Sequence, residues 1–222
     1  MDDQTELPDM PATSWAVLGM LSFNEEVSGY DIKRWADWSI GHFYWSPSFS
    51  QVYSELKRLE KLGLARSRTV SEPGERSRRL YAITDEGLAA SRQWVSSAPV
   101  DPPMLKHPMV MRIWLGHMSS PTDLKARLRE YLDDLERVRA QVAGDAELAR
   151  SEAAWSYPRL ALEWAHAHYE TERDLTLRLI DSIDETQREL APALHDDGRL
   201  IPPAPGRWQE VGEIGKRQRE QN

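Results

Sequence analysis

The hydrophobic pattern changes period along the chain, and the changes mark out its elements. Around Leu56, the residues Phe49, Val52, Tyr53, Leu59 and Gly63 gather at the i, i+3, i+4, i+7 spacing of a buried helix face. Ser50, Gln51, Ser54, Lys57, Arg58 and Lys61 fall opposite. Ser48 is placed to cap the first turn, and Gly63 stands where a left-handed residue would stop the helix. LARSRTVSE (64–72) and SRRLYAIT (77–84) then read as two strands around the turn pair Pro73-Gly74. Upstream, TSWAVLGMLSF (13–23) predicts a compact helix whose Trp15, Leu18, Gly19 and Leu21 pack beneath the helix around Leu56. SGYDIKRWADWSI (28–40) predicts another, opened by Ser28 and Asp31 at capping-box spacing and anchored by Tyr30, Ile32, Trp35 and Trp38. Thr84 would cap a further helix over 85–98, with Asp85 and Glu86 complementing its dipole.

Pro99, Pro102, Pro103 and Pro108 break helical continuity, and beyond them the pattern is all-helical. MVMRIWLGHM (109–118) is short and apolar, and Ser120-Pro121-Thr122-Asp123 supplies a cap, a first-turn proline and an acid at the third position. Leu124, Leu128, Leu132, Leu135, Val138 and Val142 then recur at steps of 3 and 4, a seam for helix packing. After a break at Gly144, a second long helix over 157–183 carries Leu160, Trp164, Ala167, Leu175, Leu179 and Ile183 along one side. Two such helices could cover each other, but so much apolar surface favours a symmetric dimer through Leu124, Leu128, Leu132, Leu135, Leu175 and Leu179. From about residue 187, Pro, Gly and charge dominate without a sustained period.

The expected architecture is mainly α with a small β-hairpin wing. An N-terminal extension (1–12) leads into a winged helix-turn-helix (13–98), a Pro-rich linker (99–108), a helical dimerisation and effector domain (109–185) and a mobile tail (186–222).

Charge points the winged half at DNA. The chain is acidic, with 28 Lys and Arg against 36 Asp and Glu, so indiscriminate polyanion binding is disfavoured. Residues 47–81 reverse the sign: Lys57, Arg58, Lys61, Arg66, Arg68, Arg76, Arg78 and Arg79 outnumber Glu55, Glu60, Glu72 and Glu75. Short polar side chains near a helix start suit base edges, and cations further along suit phosphates. Ser50, Gln51 and Ser54 are therefore candidate base contacts, Lys57, Arg58 and Lys61 candidate phosphate contacts, and Arg76, Arg78 and Arg79 candidate wing contacts. The same helix face could be merely solvated, or could bind another protein.

Other chemistries find little support. There are no cysteines, which excludes disulfides and thiolate catalysis, and the six histidines show neither an i, i+4 pair nor HExxH, so neither a metal nor a cofactor is expected. No phosphate loop or nucleophile elbow appears, so an enzyme is not expected. The acidic start MDDQTELPDMP is unlike a secretion signal and no apolar run approaches bilayer length, which predicts a cytoplasmic protein without membrane contact.

The motifs LGMLSF, SGYDIKR, FYWSPSFSQVYSELKRLEKLGLA and RRLYAITDEGLAA, followed by MVMRIWLGHMSSPTDLKARLREYLDDLE, resemble in order and spacing the PadR-like transcriptional regulators. The likeness is to their longer form, whose helical C-terminal domain is like that of certain virulence activators, and it covers about residues 13–183. It implies a homodimer, a helix-turn-helix reading a palindromic operator on double-stranded DNA, and often repression relieved by a small aromatic or drug-like molecule. A transcriptional activator of the same fold is the alternative. Leu80-Tyr81 departs from the two aromatics such proteins often carry in the second wing strand. Among nine tryptophans, Trp94, Trp114, Trp155 and Trp164 are the candidates to sandwich an effector, with Tyr157, His166, His168 and Tyr169 as polar neighbours. Core or dimer packing is the competing role for each of these indoles.

Overall fold

The computed structural model describes residues 7–23, 26–71 and 77–220. They fall into two units that are discontinuous in sequence: Met1–Leu105 with Asp134–Arg173, and Lys106–Asp133 with Asp174–Asn222.

The first unit is built on helices α1 (Ala12–Leu21), α2 (Gly29–Trp38) and α3 (Phe49–Lys61), a small sheet, and helix α4 (Asp85–Ser97). Local chemistry sets the ends. Ser28 and Asp31 form the expected capping box on α2, and Ser48 accepts from the Gln51 amide at the start of α3. Gly63, at φ 75°, ends α3. The sheet holds strands β1 (Val27–Ser28), β2 (Ala65–Val70) and β3 (Arg78–Ile83), antiparallel in the order β1-β3-β2, with Tyr81 facing both Val27 and Ser67. The expected hairpin is thus extended by a two-residue edge strand, too short to show a period. Its turn at Pro73-Gly74, with Arg76, lies outside the described residues.

Val17, Leu18, Leu21, Ile32, Val52, Leu56 and Leu59 are fully buried, and Tyr81 and Ile83 close the core from the sheet. Met10 joins this core and Leu7 packs against it, so the segment before residue 13 contributes packing. Thr84 Oγ1 accepts from the Gly87 amide at 3.0 Å and donates to the Gly63 carbonyl at 2.7 Å, drawing α4 against the end of α3. A Cβ on Gly87 would stand 2.1 Å from the Leu64 carbonyl oxygen. Gly87→Ala is therefore expected to lower unfolding stability by about 1–3 kcal/mol, read as a shifted urea midpoint at constant slope.

Two long helices, α6 (Pro121–Leu148) and α7 (Ser156–Leu190), pass through both units. In the first, Val142 and Ala146 of α6 and Ala149 just after it pack with Leu162 and Ala165 of α7, and Trp38 and Trp155 lean on this cluster. The Trp38 and Trp155 rings are 5.5 Å apart. His42 Nε2 lies 2.7 Å from Asp145 Oδ2, and the Tyr169 hydroxyl donates to the His42 carbonyl at 2.6 Å. Burial pushes the Tyr169 phenol above its ordinary pKa, so it stays a donor at neutral pH. In the second unit, helix α5 (Pro108–Trp114) brings Met109 to Leu128 and Ile183, with Ile113, Leu124, Tyr131, Leu179 and Ile180 around them. Ser120 caps α6 as expected, accepting from the Asp123 amide at 3.1 Å.

Three expectations for this half are corrected. Gly144 does not end the helix: α6 continues to Leu148, because Val142 and Ala146 carry its buried face past a glycine that costs only about 1 kcal/mol. The seam serves the chain's own core, since Leu128 and Leu135 are buried and Leu124 and Leu132 half-buried within a single copy. On α7 the inward face is Leu162, Ala165, Tyr169, Thr176, Ile180 and Ile183, about a third of a turn from the side expected. The segment after residue 186 is also not devoid of regular structure. Helix α7 runs on to Leu190, Leu194 and Leu200 form an isolated antiparallel bridge, and helix α8 spans Arg207–Glu220. Its Trp208, Val211 and Ile214, three apart, are exposed, and Gly212 and Gly215 beside them obscured the pattern.

Candidate nucleic-acid interface

Helix α3 presents Ser50, Gln51, Ser54, Lys57, Arg58 and Lys61 on its exposed side, while Val52, Leu56 and Leu59 hold it down. Two residues read as buried are not. Phe49 and Tyr53 are 46% and 41% exposed. A stripe of three apolar positions suffices to seat a 13-residue helix, and the flanking aromatics lean outward instead. The Phe49 ring stacks on Tyr30 of α2 at 5.8 Å, and Tyr30 is 50% exposed. The Tyr53 ring lies over Gly29, where a Cβ would come within 2.5 Å of it. Tyr30 and Tyr53 therefore flank the polar face of α3 as large side chains with hydroxyl tips. Sequence reasoning missed them by assigning both to buried helix faces. The signal available was Tyr30's place two residues after a cap, on the outer side of a first turn.

The side chains on α3 are not all equally available. Gln51 Oε1 accepts from the Ser48 amide at 2.8 Å, completing a capping box, so its carbonyl end is engaged in holding the helix start. The Ser48 and Ser50 hydroxyls are 2.9 Å apart. Glu55 accepts from Ser14 and Thr13 of α1 and pairs with Arg58 Nε at 3.3 Å, which draws Arg58 inward. Ser54, Lys57 and Lys61 are exposed, and the two lysines meet no carboxylate among the described residues.

The sheet divides its cations in the same way. Arg68 forks onto Glu26, with Nε at 2.9 and 3.0 Å from the two carboxylate oxygens. The hydrogen bond from Arg68 holds the Glu26 carboxyl below its ordinary pKa. Arg79 is bonded to Glu60 and Ser67. Arg66 and Arg78 are exposed and pair with no carboxylate among the described residues. The cations left without a carboxylate are thus Lys57 and Lys61 on α3, and Arg66 and Arg78 on the sheet face opposite Ser67 and Arg79, fewer groups than the sequence count gives.

Within the first unit, the effector candidates Trp94, Trp155 and Trp164 line different recesses. Trp94 stacks on Trp15 at 5.4 Å with ring planes 11° apart. Together with Ala16, Gly19, Met20, Phe23, Trp35, Phe43 and Tyr44 they line an apolar groove of about 430 Å3 in the first unit. Trp155 borders a different recess with Trp35 and Trp38, Trp164 stacks on His168 at 5.4 Å, and Trp114 belongs to the second unit. The groove owes its walls largely to α1, α2 and α4: Trp94 of α4 was an effector candidate from sequence, whereas Trp15 and Trp35 read as core.

The family model of the PadR-like transcriptional regulators matches residues 17–93, the span that carries α1 to α4 and the wing. Over that span, about a third of the chain, the sequence is similar to this family. It is 30% identical over 105 residues to the negative transcriptional regulator PadR of Bacillus subtilis, and 36% identical over 75 residues to a probable transcriptional regulator, Rv1176c, of Mycobacterium tuberculosis. These matches take in 47% and 34% of this chain but only 57% and 39% of the two relatives. In fold, the chain is similar to Bacillus subtilis PadR solved in complex with operator DNA (TM-score 0.68, 23% identity), over 78% of this chain and 99% of that one. It is also similar to PadR in complex with p-coumaric acid (TM-score 0.62, 22% identity, 80% and 99% covered). The Vibrio cholerae virulence activator AphA shares the fold at a TM-score of 0.59 and 20% identity, over 78% and 98% of the two chains. Among the described residues no helix is long and apolar enough to cross a membrane.

Proposed function

We propose that this PadR-like chain is a sequence-specific DNA-binding repressor that acts as a homodimer on an inverted repeat and is released by a small aromatic ligand. The observation that carries the reading is the outer face of α3, where Ser50, Ser54, Lys57 and Lys61 stand clear of the core beside the exposed Tyr30 and Tyr53. Such a face places short polar groups against base edges and cations against phosphates when the helix enters a major groove. The operator complex of the similarly folded PadR supports the mode of binding, and the name of that relative supports repression.

The dimer reading rests on exposed apolar surface. Tyr157, Leu160, Trp164 and Leu175 lie on one stripe of α7, with Trp164 63% exposed and Leu175 49%. A second copy supplies the cover such a stripe needs. The ligand reading rests on the groove between Trp15, Trp35 and Trp94, whose flat walls suit an aromatic ring, and on the p-coumaric acid complex of PadR.

Selection of bound duplexes from a random pool tests the reading. An enriched inverted repeat with half-sites about 10 base pairs apart is expected. A pool that stays random after repeated rounds would remove DNA as the partner. On the selected duplex, Lys57→Ala should lower the magnitude of the salt slope by about 1 while leaving sequence preference intact.

A further inference from the structure

We infer that Glu60, Ser67 and Arg79 form a clamp that fixes the wing to the reading helix, and that Arg79 is a positioning residue rather than a DNA contact. The functional consequence rests on the DNA-binding reading above. Glu60 lies in the last turn of α3, Ser67 in the middle of β2 and Arg79 near the start of β3. Arg79 Nη2 donates to both carboxylate oxygens of Glu60, at 2.9 and 3.0 Å, and Arg79 Nε donates to Ser67 Oγ at 2.6 Å. Ser67 Oγ in turn donates to Glu60 Oε1, also at 2.6 Å. These bonds close a ring that joins three elements. The guanidinium also stands 5.5 Å from the centre of the Tyr81 ring, which is buried and opposite Ser67 in the ladder.

The neighbouring arginine shows what a wing contact would look like. Side chains alternate across a strand, so Arg78 and Arg79 point to opposite faces of β3. Arg78 is exposed and engages no carboxylate among the described residues. For Arg79 to reach a phosphate it would have to leave Glu60, and an unneutralised carboxylate would then remain at the edge of the surface meant for a polyanion. Clamped, the pair is neutral there and holds the hairpin to the end of α3 in the orientation the groove requires. Charge-assisted, forked hydrogen bonds are the geometry suited to such a fixed joint.

A double-mutant cycle with Glu60→Ala, Arg79→Gln and both together tests the clamp, on the full chain with the duplex enriched by selection. Each single change is expected to weaken binding about tenfold, and the double no more than the worse single, because both break one joint. The salt slope should stay that of the parent, whereas Arg78→Gln should reduce it by about 1. Without DNA, amide hydrogen exchange at residues 66–69 and 79–81 should quicken equally in all three clamp variants. Glu60→Ala has the discriminating sign: if Arg79 were a phosphate contact, freeing it and deleting an acid would tighten binding. Tighter binding by Glu60→Ala, additive losses, a lower salt slope for Arg79→Gln, or unaltered amide exchange would each overturn the clamp. Should the parent protein enrich no duplex, the DNA reading fails and the exchange experiment alone decides: quickened strands support the clamp, unaltered ones overturn it.

Discussion

Trp164→Asp combined with Leu175→Asp is expected to turn the protein into a folded monomer. Both side chains are exposed in the single chain, so an added carboxylate remains hydrated there and costs the fold little. Across a dimer contact the same carboxylates would be buried without partners, a penalty of several kcal/mol that association cannot recover. One half-site then has to bind alone. Operator affinity should fall by about a hundredfold or more, equivalent to about 2.8 kcal/mol, while affinity for random duplex changes much less. Sedimentation and operator titration of the same preparation read both effects. A double variant that stays dimeric would place the interface elsewhere. Leu128→Asp is the contrasting case: Leu128 is fully buried beside Met109 and Ile183, so this change should unfold the second unit rather than split a dimer.

Filling the aromatic groove should separate ligand response from DNA binding. Gly19 lines the groove, and a Cβ at this position would meet nothing within 4 Å. Gly19→Leu therefore places a side chain in the space a ligand ring would occupy, and it also removes a glycine from the interior of α1. Replacing that glycine should raise stability by about 0.4–1 kcal/mol, if the leucine finds a relaxed rotamer. Operator affinity should be retained. On the proposed ligand reading, binding of p-coumaric acid, the molecule in the PadR complex, should weaken at least about tenfold when followed by tryptophan fluorescence, the loss of roughly 1.4 kcal/mol of contact. Trp94→Ala removes the stacked wall beside Trp15 and should weaken the same ligand while leaving the groove open. Undiminished ligand binding in both variants would take the effector site out of this groove.

The features that sequence made legible are those set by neighbouring residues. Ser28, Ser48, Thr84 and Ser120 all cap the helices they precede, because a hydroxyl three residues before a free amide is a local geometric fact. Gly63 ends α3 in the left-handed region for an equally local reason. Faces were harder. Helical spacing placed Phe49 and Tyr53 with Leu56, but only tertiary contact decides how wide a buried stripe becomes, and here it stops at Val52, Leu56 and Leu59. The inward face of α7 was misjudged because apolar residues lie on more than one side of it, so its single-chain core and its exposed stripe could not be told apart by period. Side-chain commitments were the least legible. Nothing in the run QVYSELKRLEK tells that Gln51 reaches back to Ser48 or that Glu60 holds an arginine 19 residues on. Consequently a count of eight cations overstates what the surface offers, and Tyr30 and Tyr53, which add to it, were assigned to the core.

The account turns on α3 reading sequence in a major groove. A competitive titration of the parent protein between the enriched duplex and a scrambled duplex of equal length, at physiological salt, measures this directly. The account predicts a preference of about a thousandfold or more, which falls when Ser54 and Tyr53 are replaced by alanine. Equal affinity for the two duplexes would contradict it.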